Sequence, residues 1–212
     1  MSDPGPLWRD PHPLVLASAS ATRKALLASA GLSCIARPAA IDERAVEAQA
    51  RAEGANPAQL ALHLAQAKAR AASEALADRD PQAIVIGADQ TLALGETVLH
   101  KPADMQALHE QIAQRSGRSH RLHAGVSLWR GGEALASFVD SATLTMRALT
   151  HEQIATYCAL AGEDALTSVG GYKLEGAGIH LFTQVEGAHS TILGLPLMPL
   201  LAALRDQGCL AL

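Results

Sequence analysis

Short apolar runs and amphipathic stretches alternate along the chain. Residues 14–18 and 83–87 are apolar runs bounded by turn-forming residues, a pattern typical of strands buried on both faces of a sheet. Residues 119–129 and 133–147 have longer strand patterns and are separated by a Gly-Gly pair, which predicts a hairpin.

Capping residues and prolines mark where helices begin. Ser20 is placed to cap a helix that Gly31 ends, and Asn56-Pro57 begins an alanine-rich helix that runs to about residue 77. The remaining predicted elements are a short strand at 33–37, a polar loop that holds Asp42 and Glu43, a hairpin at 92–94 and 97–99, and helices at 104–116, 150–160 and 196–205. Because helices and strands are mixed throughout, the pattern predicts an α/β fold in which helices flank a mixed, twisted sheet.

Length and composition limit the class of protein. The 212 residues are enough for one large domain, or for two small lobes around a shared cleft. Hydrophobic residues make up 49% and charged residues 18%, which is typical of a globular chain. No apolar run approaches the roughly 18 residues of a membrane helix, so no membrane partner is expected. The net charge of -4 and the 3% of aromatic residues disfavour a nucleic-acid partner.

The first residues and the cysteines give two further expectations. Residues 1–13 contain four prolines and no apolar signal-peptide core, so we expect a flexible arm ahead of a single domain at 14–212. Cys34, Cys158 and Cys209 are far apart and show neither zinc spacing nor a redox pair. They predict buried thiols in a reducing cytoplasm. A homodimer stays open.

Asp89 is the sharpest candidate for chemistry. It follows the apolar run 83–87, and ligands of α/β folds bind beyond the carboxyl ends of strands. A carboxylate at that place can hold a metal ion or accept a proton from water. The alternative is an aspartate in an ordinary turn.

Three cations are further candidates. Lys68 falls on one helical stripe with Leu60 and Leu64, so it points into a pocket or extends to the surface. Arg23 lies early in a helix, where an anionic ligand would offset its repulsion from the helix dipole. Lys101 is held extended by the proline after it. For Arg23 and Lys101 too, the alternative is a solvated surface.

Several known nucleotide- and metal-binding patterns are missing. The chain has no P-loop sequence and no nucleophile elbow, and its glycines lack the context of a dinucleotide fingerprint. His120 and His123 lie on a predicted strand, where their spacing points the rings to opposite faces, so this pair is not expected to bind zinc.

An ordered set of segments resembles the Maf-like nucleotide pyrophosphatases, which are also called septum-formation-inhibitor-like proteins. The matching segments are LVLASASATRKALLASAG at 14–31, IDE at 41–43, LALHLAQAKA at 60–69, VIGADQ at 85–90, HKP at 100–102, SGRSHRLHAGVSL at 116–128, GYKLEGAGIHLFTQVEG at 171–187 and LGLPL at 193–197. They occur in the family's order and together cover most of the chain.

The resemblance implies a Maf/inosine-triphosphatase-like fold with two lobes around a central cleft. It also implies hydrolysis of nucleoside triphosphates to the monophosphate and pyrophosphate with a divalent metal, Mg²⁺ or Mn²⁺. The residues carried over by motif are Asp89 (proton acceptor or metal ligand), Lys68 and Lys101 as catalytic groups, Ser18, Arg23 and Glu43 as substrate-binding groups, and Glu43 with Asp89 as metal ligands.

The charges of these residues also suit the hydrolysis of a triphosphate, independently of the resemblance. A triphosphate carries about four negative charges, which Lys68, Lys101, Arg23 and a metal ion would offset. Glu43 and Asp89 supply the hard oxygen ligands that Mg²⁺ prefers. Two other classes stay open: a nucleotide-binding regulator of cell division or septum formation without turnover, and another metal-dependent hydrolase acting on a phosphate ester.

Three positions bear on the base that is recognised. In the family that the chain resembles, these positions separate a branch that acts on dTTP and UTP from a branch that acts on 7-methyl-GTP. In this sequence the three residues are Thr22, Gln90 and Glu175. Gln90 and Glu175 resemble the methyl-GTP branch, whereas Thr22 stands where that branch has tryptophan and where the family's Ser-Pro-Arg-Arg has its first arginine. We therefore expect a third specificity type, broader than either branch and with some tolerance for purines.

Overall fold

The computed structural model describes residues 6–212 of the chain. Its strands are β1 (Leu14–Leu16), β2 (Ile35–Ala36), β3 (Ile84–Leu94), β4 (Thr97–Leu99), β5 (Ser119–Arg130), β6 (Glu133–Met146) and β7 (Phe182–Glu186). Its α-helices are α1 (Ala21–Ser29), α2 (Glu43–Ala52), α3 (Pro57–Glu74), α4 (Met105–Arg115), α5 (His151–Ala161), α6 (His189–Ile192) and α7 (Leu197–Asp206), with 3₁₀ helices at Gly162–Thr167 and Ala177–Leu181. In this part of the chain, no helix has both the length and the apolar character needed to cross a membrane.

The strands form one mixed sheet, as the sequence predicted. Their order is β2-β1-β3-β5-β6-β7, and β4 pairs with β3 outside that path. β1 pairs in parallel with both β2 and β3, whereas the pairs from β3 through β7 are antiparallel. The β5–β6 hairpin turns at Gly131 and Gly132, whose φ angles of 59° and 82° suit the positive-φ turns that short hairpins prefer.

Two hydrophobic clusters lie at opposite ends of the long strands. Leu92 of β3 and Leu122 of β5 belong to a cluster with residues of α4 and α5. Ile86 of β3 and Leu128 of β5 belong to another, with residues of β1, α1 and α7. The same strands thus run through both clusters, which gives the expected two lobes.

The alanine-rich helix α3 lies unusually close to the sheet. A Cβ atom added at Gly87 would lie 2.1 Å from the Ala65 carbonyl oxygen, and one added at Gly125 would lie 2.4 Å from that of Ala61. Ala69 of the same helix is fully buried. Small residues on both surfaces therefore set the helix position, and this fixes where its longer side chains reach.

The structure corrects two predicted boundaries. The predicted polar loop at Asp42 and Glu43 is wrong: Asp42 caps α2, accepting a hydrogen bond of 3.0 Å from the Ala45 amide. The strand predicted to end at residue 87 continues to Leu94, because β5 pairs with it throughout residues 85–93. Asp89 therefore lies within a strand, not in a turn after it.

The flexible arm predicted at 1–13 is also corrected, as far as residues 6–13 are concerned; residues 1–5 lie outside the described residues. Trp8 is buried and pairs with Leu210 in an isolated β-bridge, and the Arg9 amide donates a 2.9 Å hydrogen bond to the Cys209 carbonyl. This partner segment lies at the far end of the chain, where local sequence patterns give no sign of the contact.

A buried histidine links the sheet to the loop that precedes the second 3₁₀ helix. His120 of β5 is only 1% exposed, and its Nε2 atom lies 2.7 Å from the Tyr172 hydroxyl. Burial, assisted by the nearby Arg115 charge, lowers the pKa of His120 to about 3. His123 instead contacts Ser141, so the two histidines have separate partners.

We expect His120 to make folding less favourable in acid. Below the usual histidine pKa of 6.5 the unfolded chain binds a proton that the folded chain accepts only near pH 3, so stability falls as the pH drops through that window, by up to about 1.4 kcal/mol per pH unit. Denaturant unfolding at pH 7, 6 and 5 measures this slope. His120→Gln should flatten it relative to wild type, whereas the control His63→Gln should not; equal slopes in both variants would contradict the assignment.

Candidate functional site

A cleft of about 820 Å³ contains every site residue that the sequence predicted. This volume lies in the range typical of small-molecule sites. The predicted residues that line it are Ser18, Thr22, Arg23, Glu43, Lys68, Asp89, Gln90, Lys101 and Glu175.

Lys68 joins two carboxylates in the cleft. Its ammonium nitrogen lies 2.8 Å from Glu43 Oε1 of α2 and also contacts Asp89 Oδ1 of β3. Lys68 and Asp89 are 12% and 14% exposed, whereas Glu43 is 58% exposed. The helical stripe predicted for Lys68 therefore directs its ammonium group into the cleft.

Glycine and aspartate alternate on the sheet face that α3 covers. Residues 87 and 89 of β3 project to the same face, and Gly125 of β5 pairs directly with Asp89. At Gly87 and Gly125 the helix backbone approaches closely. Asp89 places a carboxylate on the same face, where it contacts the Lys68 ammonium group of α3.

The end of β1 exposes Asp89 to the cleft. β1 pairs with β3 as far as Leu16 opposite Ile86 and then leaves the sheet. β3 continues, and its next residues border the space that β1 has vacated. The cleft therefore lies beyond the end of β1 and not beyond the end of β3, the strand that carries Asp89.

Two of the three guanidinium nitrogens of Arg23 donate to the protein. Its Nε atom donates to the Gly194 carbonyl at 2.9 Å, and its Nη1 atom donates to the Ala88 carbonyl at 2.8 Å and to Ser18 Oγ at 3.2 Å. Burial lowers the pKa of Arg23, with the charges of Asp89 and Glu43 acting in the opposite direction. Arg23 thus links three segments at the wall of the cleft.

Gln90 binds the same wall segment. Its Nε2 atom donates to the carbonyls of Thr191 and Ile192, both at 3.0 Å. Together with the Arg23 contact at Gly194, this fixes the end of α6 and the turn that follows it, where Ile192 and Leu193 line the cleft.

The other predicted residues lie at the more open part of the cleft. Lys101 and Glu175 are exposed and Thr22 is half-buried. Neither Lys101 nor Glu175 forms an ion pair with any other residue in 6–212. Both charges are therefore available to a ligand.

Sequence reasoning did not single out several cleft residues, among them Glu47, Tyr172 and Lys173. Glu47 lies four residues after Glu43 on α2, a spacing that would have indicated it had the helix been recognised. Tyr172 and Lys173 belong to a loop whose position only the tertiary structure shows. In the sequence, the opposite charges of Lys173 and Glu175, two residues apart, were the signal that could have indicated Lys173 as a site residue.

The charges that line the cleft cancel within the described residues. The cations are Arg23, Lys68, Lys101 and Lys173, and the carboxylates are Glu43, Glu47, Asp89 and Glu175. A highly anionic ligand in such a cleft requires additional positive charge or the exchange of existing ion pairs.

The donor set fits a divalent metal ion that shares its coordination with a ligand. Glu43 and Asp89 present hard oxygens on either side of the Lys68 ammonium. Mg²⁺ commonly binds one or two carboxylates together with substrate phosphates. Residues 6–212 contain no group of three or more histidine, cysteine or acidic side chains arranged to hold a metal.

Comparison with known proteins shows which family the chain belongs to. The family described as Maf-like protein matches residues 13–207. A nucleoside triphosphate pyrophosphatase of Rhodopseudomonas palustris (strain HaA2) is 50% identical over 97% of this chain and 98% of its own length. A 7-methyl-GTP pyrophosphatase of Rhizobium meliloti (strain 1021) is 49% identical over 93% of this chain and 97% of its own length. The chain belongs to the Maf-like protein family.

Proposed function

We propose that the cleft hydrolyses a nucleoside triphosphate to the nucleoside monophosphate and pyrophosphate. The observation that carries this proposal is the contact of Lys68 with Glu43 and Asp89 inside a cleft large enough for a nucleotide. It combines a carboxylate that can accept a proton, a cation for phosphate and oxygens for a metal ion. The names of the similar pyrophosphatases support the same reaction.

Asp89 is the proposed proton acceptor. Its carboxylate takes a proton from a water molecule, whose oxygen forms a bond to the α-phosphorus of the nucleotide. The bond from that phosphorus to the bridging oxygen breaks, and pyrophosphate leaves. Lys68 holds the Asp89 carboxylate in place through their direct contact.

Cations of the cleft hold the polyphosphate. Lys68 has three donors, so it can bind a phosphate oxygen in exchange for Glu43, which is the more exposed of its two carboxylate partners. Lys101 is free of ion pairs among the described residues and contributes a second positive charge. Positive charge near the leaving group stabilises the charge that develops as pyrophosphate departs.

A divalent ion, Mg²⁺ or Mn²⁺, is the proposed cofactor, with Glu43 and Asp89 as its protein ligands. When bound, it supplies charge stabilisation at the phosphates. The cations and carboxylates that line the cleft cancel, and a triphosphate adds about four negative charges. This excess of negative charge supports the need for a metal ion. The proposed place of action is the cytoplasm, where the free thiols of Cys34, Cys158 and Cys209 stay reduced.

Product analysis over a panel of nucleoside triphosphates tests the proposal. We expect the monophosphate and pyrophosphate as first products, and loss of both on addition of EDTA. Orthophosphate as the first product would indicate a phosphate-ester hydrolase instead. Tight nucleotide binding without any product would indicate a regulator without turnover.

We further propose a base preference that is broad and includes purines. Glu175 can accept hydrogen bonds from two adjacent donors of guanine, N1–H and the N2 amino group. Uracil and thymine alternate acceptors and donors, which suits an amide better. Thr22 cannot provide the aromatic face that would attract a cationic methylated base by roughly 1–2 kcal/mol.

Glu175→Gln should therefore shift preference toward dTTP and UTP. The measurement is the ratio of kcat/KM for UTP and GTP in the variant and the wild type, with Glu133→Gln, an exposed position on β6, as the control. A wild-type preference of about a hundredfold for dTTP or UTP over every guanine nucleotide, close to 3 kcal/mol, would contradict the role of Glu175.

A further inference from the structure

Lys173 is a cleft cation that the proposed reaction does not use. It lies in the loop between the two 3₁₀ helices, where the buried residues Tyr172 and Leu174 alternate with the more accessible Lys173 and Glu175. The loop therefore presents a cation and a carboxylate, two residues apart, to the same ligand space.

The backbone of this loop is held in place by buried contacts. The Tyr157 hydroxyl donates to the Gly171 carbonyl at 2.8 Å, and the Ser168 hydroxyl donates to the Tyr172 carbonyl at 2.7 Å. Lys173 is thus anchored at its backbone, and only its side chain needs to move to reach a ligand.

The present partner of Lys173 is easily exchanged. Its ammonium nitrogen lies 2.5 Å from Asp164 Oδ1, but the Lys173 side chain is 38% exposed and that of Asp164 is 67% exposed. Ion pairs this accessible contribute little because water and salt screen them. Asp164 does not line the cleft, so the pair holds the lysine at the edge of the ligand space.

The neighbouring Glu175 indicates which part of a nucleotide Lys173 meets. Glu43 and Asp89 are offset by Lys68, whereas Glu175 forms no ion pair within residues 6–212 and would repel the phosphates. A donor next to an acceptor instead matches the edge of a base. Guanine presents the O6 acceptor beside the N1–H and N2 donors. Adenine presents an amino donor at the position of O6, which a lysine cannot bind.

We propose that Lys173 is a specificity-determining residue that leaves Asp164 when a nucleotide binds and donates a hydrogen bond to O6 of guanine, while Glu175 binds N1–H and the N2 amino group. The inference rests on the proposed function of the cleft. It adds a second residue to the base site and a competing carboxylate, Asp164, outside it.

The test compares GTP with 6-thioguanosine triphosphate, which keeps both donors but replaces O6 by a weakly accepting sulfur. The wild type should prefer GTP by about tenfold in kcat/KM, as expected for a hydrogen bond to a charged group. Lys173→Met should bring this ratio close to one and leave kcat/KM for ATP nearly unchanged, because adenine has an amino group in place of O6. Lys173→Arg keeps a donor and should retain part of the preference.

Asp164→Asn is the matched variant, because it removes the charge of the carboxylate that pairs with Lys173. It should lower KM for GTP by about two- to fivefold, the range of an exposed ion pair, and the gain should vanish in combination with Lys173→Met. An unchanged GTP to 6-thio-GTP ratio in Lys173→Met would overturn the proposal. So would an equal loss for GTP and ATP, since these two share the phosphates but not the O6 acceptor.

Binding of the product separates this inference from the reaction. GMP should bind the wild type more tightly than AMP does, and Lys173→Met should reduce the difference, as measured by calorimetry without turnover. If GMP behaves in this way but no triphosphate is hydrolysed, the proposed function fails and the base contact stands. If triphosphates are hydrolysed and GMP shows no dependence on Lys173, the base contact fails alone.

Discussion

Replacing Asp89 by asparagine is expected to lower kcat by about a hundredfold or more, the usual scale for loss of a general base. The substitution keeps the shape of the side chain and removes its charge and its basic site. Because Asp89 lies in the cleft and contacts Lys68, the fold should survive. The measurement is steady-state kinetics together with the unfolding midpoint of the variant.

Asp78→Asn provides the matched control, since it makes the same chemical change at an exposed position outside the cleft. Lys68→Ala provides the contrast: losing a cation that binds the substrate should raise KM by about tenfold or more, with the smaller effect on kcat. Near-normal turnover in Asp89→Asn would remove Asp89 from the mechanism.

Gly87→Ala is expected to destabilise the protein by about 3 kcal/mol or more. Its new Cβ atom would lie 2.1 Å from the Ala65 carbonyl oxygen and 2.6 Å from the Ala69 amide nitrogen. Both are backbone atoms of α3, so the whole helix has to move. Since α3 carries Lys68, the surviving folded protein should also lose activity through a longer Lys68–Asp89 separation.

Gly176→Ala is the control, because an added Cβ atom at Gly176 would meet no close neighbour. Its nearest neighbour would be the Lys173 carbonyl at 3.8 Å, and its φ of -129° is accessible to alanine. Chemical denaturation should place this variant close to wild type. Equal stability of Gly87→Ala and Gly176→Ala would contradict the close packing of α3 on the sheet.

Local patterns predicted most of the elements because their signals are local. Asn56 caps α3 with the reciprocal contacts of a capping box, and Gly131-Gly132 turns the β5–β6 hairpin. The α2 helix was missed because its exposed face is highly polar and only Ala50 is buried. The packing of Trp8 against Leu210 joins the two ends of the chain, so no local window contains it.

The candidate site was predicted as a set of residues but not as a geometry. Motif resemblance named the nine residues, and all of them line one cleft. It gave no indication that Lys68 joins Glu43 to Asp89, because that contact depends on how closely α3 approaches β3. It also gave no indication that Arg23 donates from Nε and Nη1 to Gly194, Ala88 and Ser18; its role toward the substrate stays a prediction.

Hydrolysis in water enriched in oxygen-18 tests the central claim most directly. Attack of water on the α-phosphorus, with the departure of pyrophosphate, places the heavy oxygen in the nucleoside monophosphate and leaves the pyrophosphate unlabelled. Mass spectrometry of the two products after a single turnover reads this out. We predict label in the monophosphate alone; label in the pyrophosphate, or release of labelled orthophosphate, would contradict the account.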